Sequence, residues 1–422
     1  MKHSLKKLLE PSLIFFFSLN VLLWDIQAPT YAYFDELNYI EAGKQFFGGL
    51  INLNWSQPPL AKFLIGLGVH WLGDNPLGWR FMSAVFGSAT LVIMYCWARI
   101  IFRDRPFARA WAVLVFVLSL LNQVHYLQSR IALLDVFMFC FMVLGLCLFT
   151  WSYFIDGRKS ILLLAGSALG LSIACKWPAV TALPFCVLAW TSRNFKNGRG
   201  PAVAQSLFYF VLVPVIVYFL SCASLVNMKN PSYAPVVTQS GNQYADLLPM
   251  QYEIFKAQSQ FSNDSQPYTS HWLTWPLTLT PMWFDIQYAK GPAGEQQNSG
   301  ILYMGNPLIM WGGLLAVIFC LWQGIVRRHS VALYIGGCYL SLWLSWALIP
   351  RKIGFYYYYY PASMILSLAL AFTLRELKWP VKWVVAFVLA TMAIFLFFFP
   401  TMTDESLDLN SFLLRAWLPG RI

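Results

Sequence analysis

From Val203 to Val226 the chain carries no charged residue, and the same holds from Gly305 to Val326. Runs of this length match the hydrocarbon core of a bilayer, which an α-helix crosses in about 20 residues. No other feature constrains the fold as much, because a segment in hydrocarbon must satisfy its own backbone hydrogen bonds. The composition agrees: of 422 residues, 58% are hydrophobic and 11% charged, where soluble chains carry about 25% charge. The expected fold class is an all-α integral membrane protein, a polytopic helical bundle of about eleven transmembrane helices with external loops. Spans are expected near 12–28, 79–99, 107–124, 131–153, 160–176, 178–191, 203–226, 305–325, 331–349, 355–374 and 380–399. Leu60 to Leu72 is apolar but too short to cross, and reads as a helix lying in the interface.

The net charge of +11 is no nucleic-acid footprint, because the basic residues divide by side of the membrane. One set of short loops holds Lys2, Lys6 and Lys7; Arg99, Arg103, Arg105 and Arg109; Arg158 and Lys159; Arg193, Lys196 and Arg199; Arg327 and Arg328; and Arg375, Lys378 and Lys382. The only acids among them are Glu10, Asp104, Asp156 and Glu376. Positive loops stay cytoplasmic, which puts the N-terminus inside, the tail from Thr401 outside and the chemistry on the far face. Thr30-Tyr31-Ala32 is a poor cleavage site, so the first span is expected to stay attached. The chain reads as one domain, 1–422, with external segments at 29–78 and 227–303. All eight cysteines fall in spans or at their ends, which speaks against a disulfide framework, and no Cys/His spacing suggests structural zinc.

Charges near spans are costly and mark function by default. Asp35 and Glu36 stand where the first span emerges, and read either as a reacting acid pair or as a helix start favoured by the dipole. Pro58-Pro59 forbids helix before Leu60, leaving Lys62 one turn into the short helix, as a snorkelling lysine or a partner for an acid. Arg80, Arg130, Lys176 and Arg351 are cations from four spans at one membrane level. Few acids match them, which suits an anionic ligand such as a lipid phosphate at the outer leaflet. Asp135, a turn inside its span, needs a partner, with Lys62 or an arginine the natural one. Lys176-Trp177 closes an outer span end. His271, Trp272 and Trp275 in the long external segment, and Tyr358 within the tract Phe355 to Pro361, could stack on sugar rings or anchor the interface. Nearly all charges sit at span ends, on one side, which disfavours a transporter with midplane sites. A bare structural anchor leaves the cation set unexplained.

In this order, Phe34-Asp35-Glu36, Pro58-Pro59-Leu60-Ala61-Lys62, Trp79-Arg80, Gln128 to Asp135, Lys176-Trp177 and Arg351 to Pro361 resemble the protein O-mannosyltransferase family. These are GT-C-type membrane glycosyltransferases that use polyprenyl- or dolichyl-phosphate-mannose. The resemblance implies eleven spans, a site on the non-cytoplasmic face, and inverting transfer of mannose to Ser or Thr hydroxyls of proteins. It makes Asp35 the catalytic base and links Glu36 to acceptor binding. It assigns Arg80 and Arg130 to the donor phosphate or the site's geometry. Lys176 and Arg351 complete the expected phosphate set, with Lys62, Asp135 and Trp177 in support. Gln57 stands where the family usually has histidine, and Tyr358 where it often does. No sugar-binding domain is inserted in the long loop, so the chain looks like a short bacterial member, placed in the inner (cell) membrane. The alternative acceptor is a glycolipid such as lipid A, as in the aminoarabinose transferases. The donor is already a phosphate diester, whose phosphate departs without being protonated, so one base and several cations suffice. No cofactor is required, though Asp35-Glu36 could hold a divalent metal weakly.

Overall fold

The computed structural model describes residues 2–49, 51–195, 198–225, 228–229, 247–260, 268–290 and 296–417. Lys196 and the parts 230–246, 261–267 and 291–295 of the long external segment lie outside them. The first half of the chain forms α1 (Lys2–Leu23), α2 (Glu36–Lys44), α3 (Leu60–Leu72), α4 (Pro76–Ile101), α5 (Ala108–Leu120), α6 (Gln123–Gln128), α7 (Asp135–Phe154) and α8 (Lys159–Cys175). After a break at Lys176 and a 3-10 turn, Trp177–Ala182, come α9 (Leu183–Asn194), α10 (Arg199–Leu207) and α11 (Val213–Cys222). The second half carries α12 (Leu247–Gln260), α13 (Pro307–Val326), α14 (Ser330–Leu344), α15 (Tyr360–Glu376), α16 (Val381–Phe398) and α17 (Leu409–Arg415).

Among the described residues, six helical stretches are long and apolar enough to cross a membrane: Pro76–Ile101, Asp135–Phe154, Arg199–Leu225, Pro307–Val326, Ser330–Ala347 and Val381–Met402. Local signals explain several boundaries. Asn75 and Asn306 each cap a helix whose first residue is proline, their side chains accepting from Gly78 N and Leu308 N, the geometry such termini favour. Burial then sorts the helices. Most residues of α7 and nearly all of α15 are buried, whereas on the more apolar α16 only Thr391, Phe395 and Phe398 are. An apolar helix exposed over most of its surface is stable only against lipid, so α16 lies at the rim and α7 and α15 at the centre.

Two features depart from the expectations. The fold is not all-α: β1 (Met282–Lys290) and β2 (Gln296–Tyr303) pair antiparallel, with a bulge between Trp283 and Asp285, and β3 (Leu407–Asp408) joins β2. The sheet brings the long external segment and the chain end together, a pairing of distant residues that no local pattern announces. The long segment also holds a helix, α12. Second, the expected span 131–153 begins as helix only at Asp135, so Arg130 stands in a turn before it.

The short helices α2 and α3 sit against one another, and α3 sits on α4. A Cβ at Gly66 would lie 2.2 Å from the Gly43 carbonyl oxygen, so glycine at both positions lets the two backbones touch.

Candidate active site

Asp35 and Glu36 are adjacent in sequence and opposite in environment. Glu36, the first residue of α2, is fully buried. One carboxylate oxygen accepts from Arg80 Nε at 2.9 Å and Ala132 N at 2.8 Å; the other accepts from Arg80 Nη2 at 2.9 Å and Tyr33 N at 3.3 Å. The rest of the equally buried Arg80 fork donates to the carbonyls of Ile26, Pro29 and Tyr31 at 2.8–3.0 Å. Every N–H of that guanidinium therefore has a partner. Glu36 and Arg80 lock the start of α2 to α4 and to the turn before α7. Neither has a free face to offer a ligand, which speaks against Glu36 as an acceptor-binding acid and leaves Arg80, of its two expected roles, that of holding the site's geometry.

Arg130 takes the other role expected of it, holding the site's geometry. Its Nη1 donates to the carbonyls of Leu22 and Trp24, and its Nη2 to that of Asp25. It thus caps the C-terminal end of α1, where a cation is favoured by the dipole. Lys62 is fully buried rather than snorkelling, and it does not pair with Asp135. The partner of Asp135 is Lys176, at 2.7 Å, with both side chains almost fully buried.

Asp35 points the other way. Its carboxylate accepts no side-chain hydrogen bond among the described residues and opens on a cavity of about 320 Å³. Lys176 and Arg351 line the same cavity, with Asn38, Asn54, Tyr357 and Tyr358. Lys176 Nζ lies 4.8 Å from the centre of the Tyr357 ring, and the Arg351 guanidinium 4.9 Å from that of Tyr358, within cation–π range. Burial raises the Asp35 carboxyl above the usual carboxylate range; Lys176 and Arg351 oppose this, and Asp135 adds to it. Such a carboxylate is more basic than an exposed one.

A second cavity of about 450 Å³ adjoins the first, with Lys176, Arg351, Ser56, Gln57 and Gln258 on both walls. Beyond those residues it is mostly apolar, lined by Ile173, Trp177, Val180, Val215, Phe219 and Phe255, with Tyr218, Gln251 and Ser259 as its polar members. Trp177 is held there by its indole N–H donating to Tyr218 Oη at 3.0 Å. A third cavity of about 390 Å³ takes in His271, Trp272 and Trp275 and meets the others only at Arg351, Trp346 and Ile349. The three sequence candidates thus lie outside the Asp35 cavity; Trp275 is buried behind Tyr358, its ring 6.1 Å away.

Sequence reading missed Asn38, Tyr357, Asn54 and Gln258. Asn38 was within reach, since it stands three residues from Asp35 at the start of the same helix. Gln258 lies on α12, more than two hundred residues from Asp35, and nothing local marks it. Among the described residues, no group of three or more His, Cys, Asp or Glu could hold a metal ion.

The mostly helical membrane bundle has a GT-C-like fold. Solved structures share the fold. The S. cerevisiae protein O-mannosyltransferase complex bound to the sugar donor matches over 98% of this chain and 92% of its own, with TM-score 0.77 and 12% identity. ArnT from Cupriavidus metallidurans bound to undecaprenyl phosphate matches over 93% and 63%, with TM-score 0.59 and 14% identity. The family model for dolichyl-phosphate-mannose-protein mannosyltransferase matches residues 72–227. Two curated relatives, each a polyprenol-phosphate-mannose–protein mannosyltransferase, are 25% identical over 86% of this chain. They come from Mycolicibacterium smegmatis, with 81% of its length covered, and Mycobacterium tuberculosis, with 80%. The chain is thus similar to protein O-mannosyltransferases in sequence over most of its length and in fold.

Proposed function

We propose that this protein transfers mannose from a polyprenyl-phosphate-mannose donor to Ser or Thr hydroxyls of proteins, with inversion, at the Asp35 cavity. One observation carries the reading: an unpaired, basic carboxylate shares a cavity with two cations, and those cations also border an apolar groove. A polyprenyl phosphate has the matching anatomy, an anionic head on a hydrocarbon tail. Its tail lies in the groove beside Trp177 and Phe255. Its phosphate meets Lys176 and Arg351, and the sugar enters the polar cavity against Tyr357 and Tyr358. The acceptor hydroxyl approaches from the opposite face of the sugar. Its oxygen bonds to the anomeric carbon as the bond from that carbon to the phosphate oxygen breaks. Asp35 takes the hydroxyl proton, and the cations stabilise the charge on the departing phosphate. No metal takes part, so a chelator leaves turnover unchanged.

The reading includes about eleven crossings by the single domain 1–422. The N-terminus and the basic loops are cytoplasmic, and Asp35 faces the periplasmic or extracellular side of a bacterial inner membrane. The fold also serves ArnT, so the acceptor is the point to test. Purified protein in detergent is given polyprenyl-phosphate-mannose with both a Ser/Thr-rich peptide and a lipid extract, and Asp35→Asn serves as control. Labelled peptide that disappears with the variant supports the reading. Labelled lipid moves the function to glycolipid modification, and no turnover with this donor overturns the choice of sugar.

A further inference from the structure

The ammonium of Lys62 is fully buried and has no carboxylate partner among the described residues. Its Nζ lies 3.0 Å from the carbonyl oxygens of Asn54 and Gln57, and 3.4 Å from that of Leu53 and from Asn52 Oδ1. Four acceptors thus surround three donors, all from one loop, residues 52–57. Stability alone does not ask for this charge: a buried cation is expensive, and methionine would fill a similar volume without that cost. What the cation does is gather carbonyls that otherwise repel. It holds a turn in which Asn54 sits at φ 52°, a conformation that costs a non-glycine residue.

That loop is a wall of the site. Asn54, Trp55, Ser56 and Gln57 line the Asp35 cavity, and Ser56 and Gln57 also line the apolar groove. The loop is joined to Arg351 as well. Gln258 Nε2 donates to the Ser56 carbonyl at 3.0 Å, and Gln258 Oε1 accepts from Arg351 Nη1 at 3.1 Å.

We infer that Lys62 is a positioning residue, whose ammonium clamps the 52–57 loop and, through Ser56 and Gln258, sets Arg351 for the donor phosphate. The inference rests on the proposed use of a polyprenyl phosphate donor. The clamp is also sensitive to pH, since burial draws the Lys62 ammonium down to about 7. Once neutral, the amine offers two donors and a lone pair to the same four acceptors. The loop carries no ionisable side chain, and among the described residues the titratable group that acts on Lys62 is the Cys222 thiol at the end of α11. Among the other charges on the described elements around α3, Lys44 is engaged with Glu41 and Asp74, Arg80 with Glu36 and Lys176 with Asp135, while Asp35 at the head of α2 faces the cavity.

The test measures binding of polyprenyl-phosphate-mannose to full-length protein in detergent, by the fluorescence of Trp55, Trp177 and Trp346, together with transfer kinetics. The donor is a diester whose charge does not change between pH 5.5 and 9, so any change of affinity belongs to the protein. Lys62→Met is expected to weaken donor binding roughly ten- to a hundred-fold, a misplacement effect, with kcat falling far less than kcat/KM. In the unmodified protein, donor affinity falls as pH rises through about 7. In Lys62→Arg, which keeps its charge, that fall is absent. If Lys62→Met does not fold, Gln258→Ala and the wild-type pH series decide: weakened donor binding in the first and the alkaline fall in the second support the clamp. Wild-type affinity in Lys62→Met or Gln258→Ala, with no alkaline fall in the parent, overturns it. Failure of the unmodified protein to bind this donor would instead sink the proposed function.

Discussion

Replacing Glu36 and Asp35 one at a time separates stability from chemistry. In Glu36→Gln, the doubly bonded guanidinium of Arg80 loses its counter-charge while staying fully buried. It keeps the carbonyls of Ile26, Pro29 and Tyr31 and one neutral amide oxygen in place of the carboxylate. Breaking a buried ion pair by removing one partner costs about 3–5 kcal/mol. For a chain of this size that is a drop on the order of 5 °C in the unfolding midpoint. Ala132 N also faces an altered acceptor, which adds to the loss. Asp35→Asn removes no hydrogen bond or ion pair among the described residues and relieves a desolvated charge, so its midpoint should hold or rise slightly. Its transfer rate should fall by about 10²–10⁴, the contribution of a positioned base. The assay is thermal unfolding in detergent followed by tryptophan fluorescence, paired with mannose transfer per folded molecule. If Glu36→Gln unfolds at the parental temperature, or if Asp35→Asn is the less stable of the two, the division of labour argued here is wrong.

Other outcomes follow from the same geometry. Lys176→Met should destabilise by a similar 3–5 kcal/mol, because it strands Asp135. Adding Asp135→Asn should restore the unfolding midpoint but not donor affinity, and recovery of both would assign Lys176 to bracing alone. On the acid side, kcat/KM should fall as pH drops through the Asp35 pKa, since a protonated carboxyl cannot accept the hydroxyl proton. Because that pKa is raised by burial, the fall comes at a higher pH than for an exposed carboxylate. Arg351 opposes the rise, so Arg351→Gln should move the limb to still higher pH, which a pH–rate series reads directly. Gly66→Val would bring a Cβ to 2.2 Å from the Gly43 carbonyl and force α2 from α3. The folded yield should collapse, and a well-folded, active variant would refute the close approach.

The sequence by itself determined that this chain crosses a membrane repeatedly. Uncharged runs of span length leave the backbone no other way to satisfy its hydrogen bonds, and that is a property of each segment alone. It also placed Asp35 and the prolines before α3, since those depend on neighbours in sequence. It set Asp35 and Glu36 side by side but could not say which faced the cavity. That choice hangs on Arg80 and Ala132, 44 and 96 residues away. Nor could it sort the cations. Arg80, Arg130, Lys62 and Lys176 look alike as basic residues near span ends. Their fates differ because the packing of distant segments supplied different acceptors: Glu36, the end of α1, the 52–57 loop and Asp135. The sheet, with β3 joining β2 from the chain end, and the reach of α12 over the site through Gln258 belong to the same class. Which buried charge braces the fold and which is left to meet a ligand depends on partners brought together in three dimensions, so only the tertiary structure decided it.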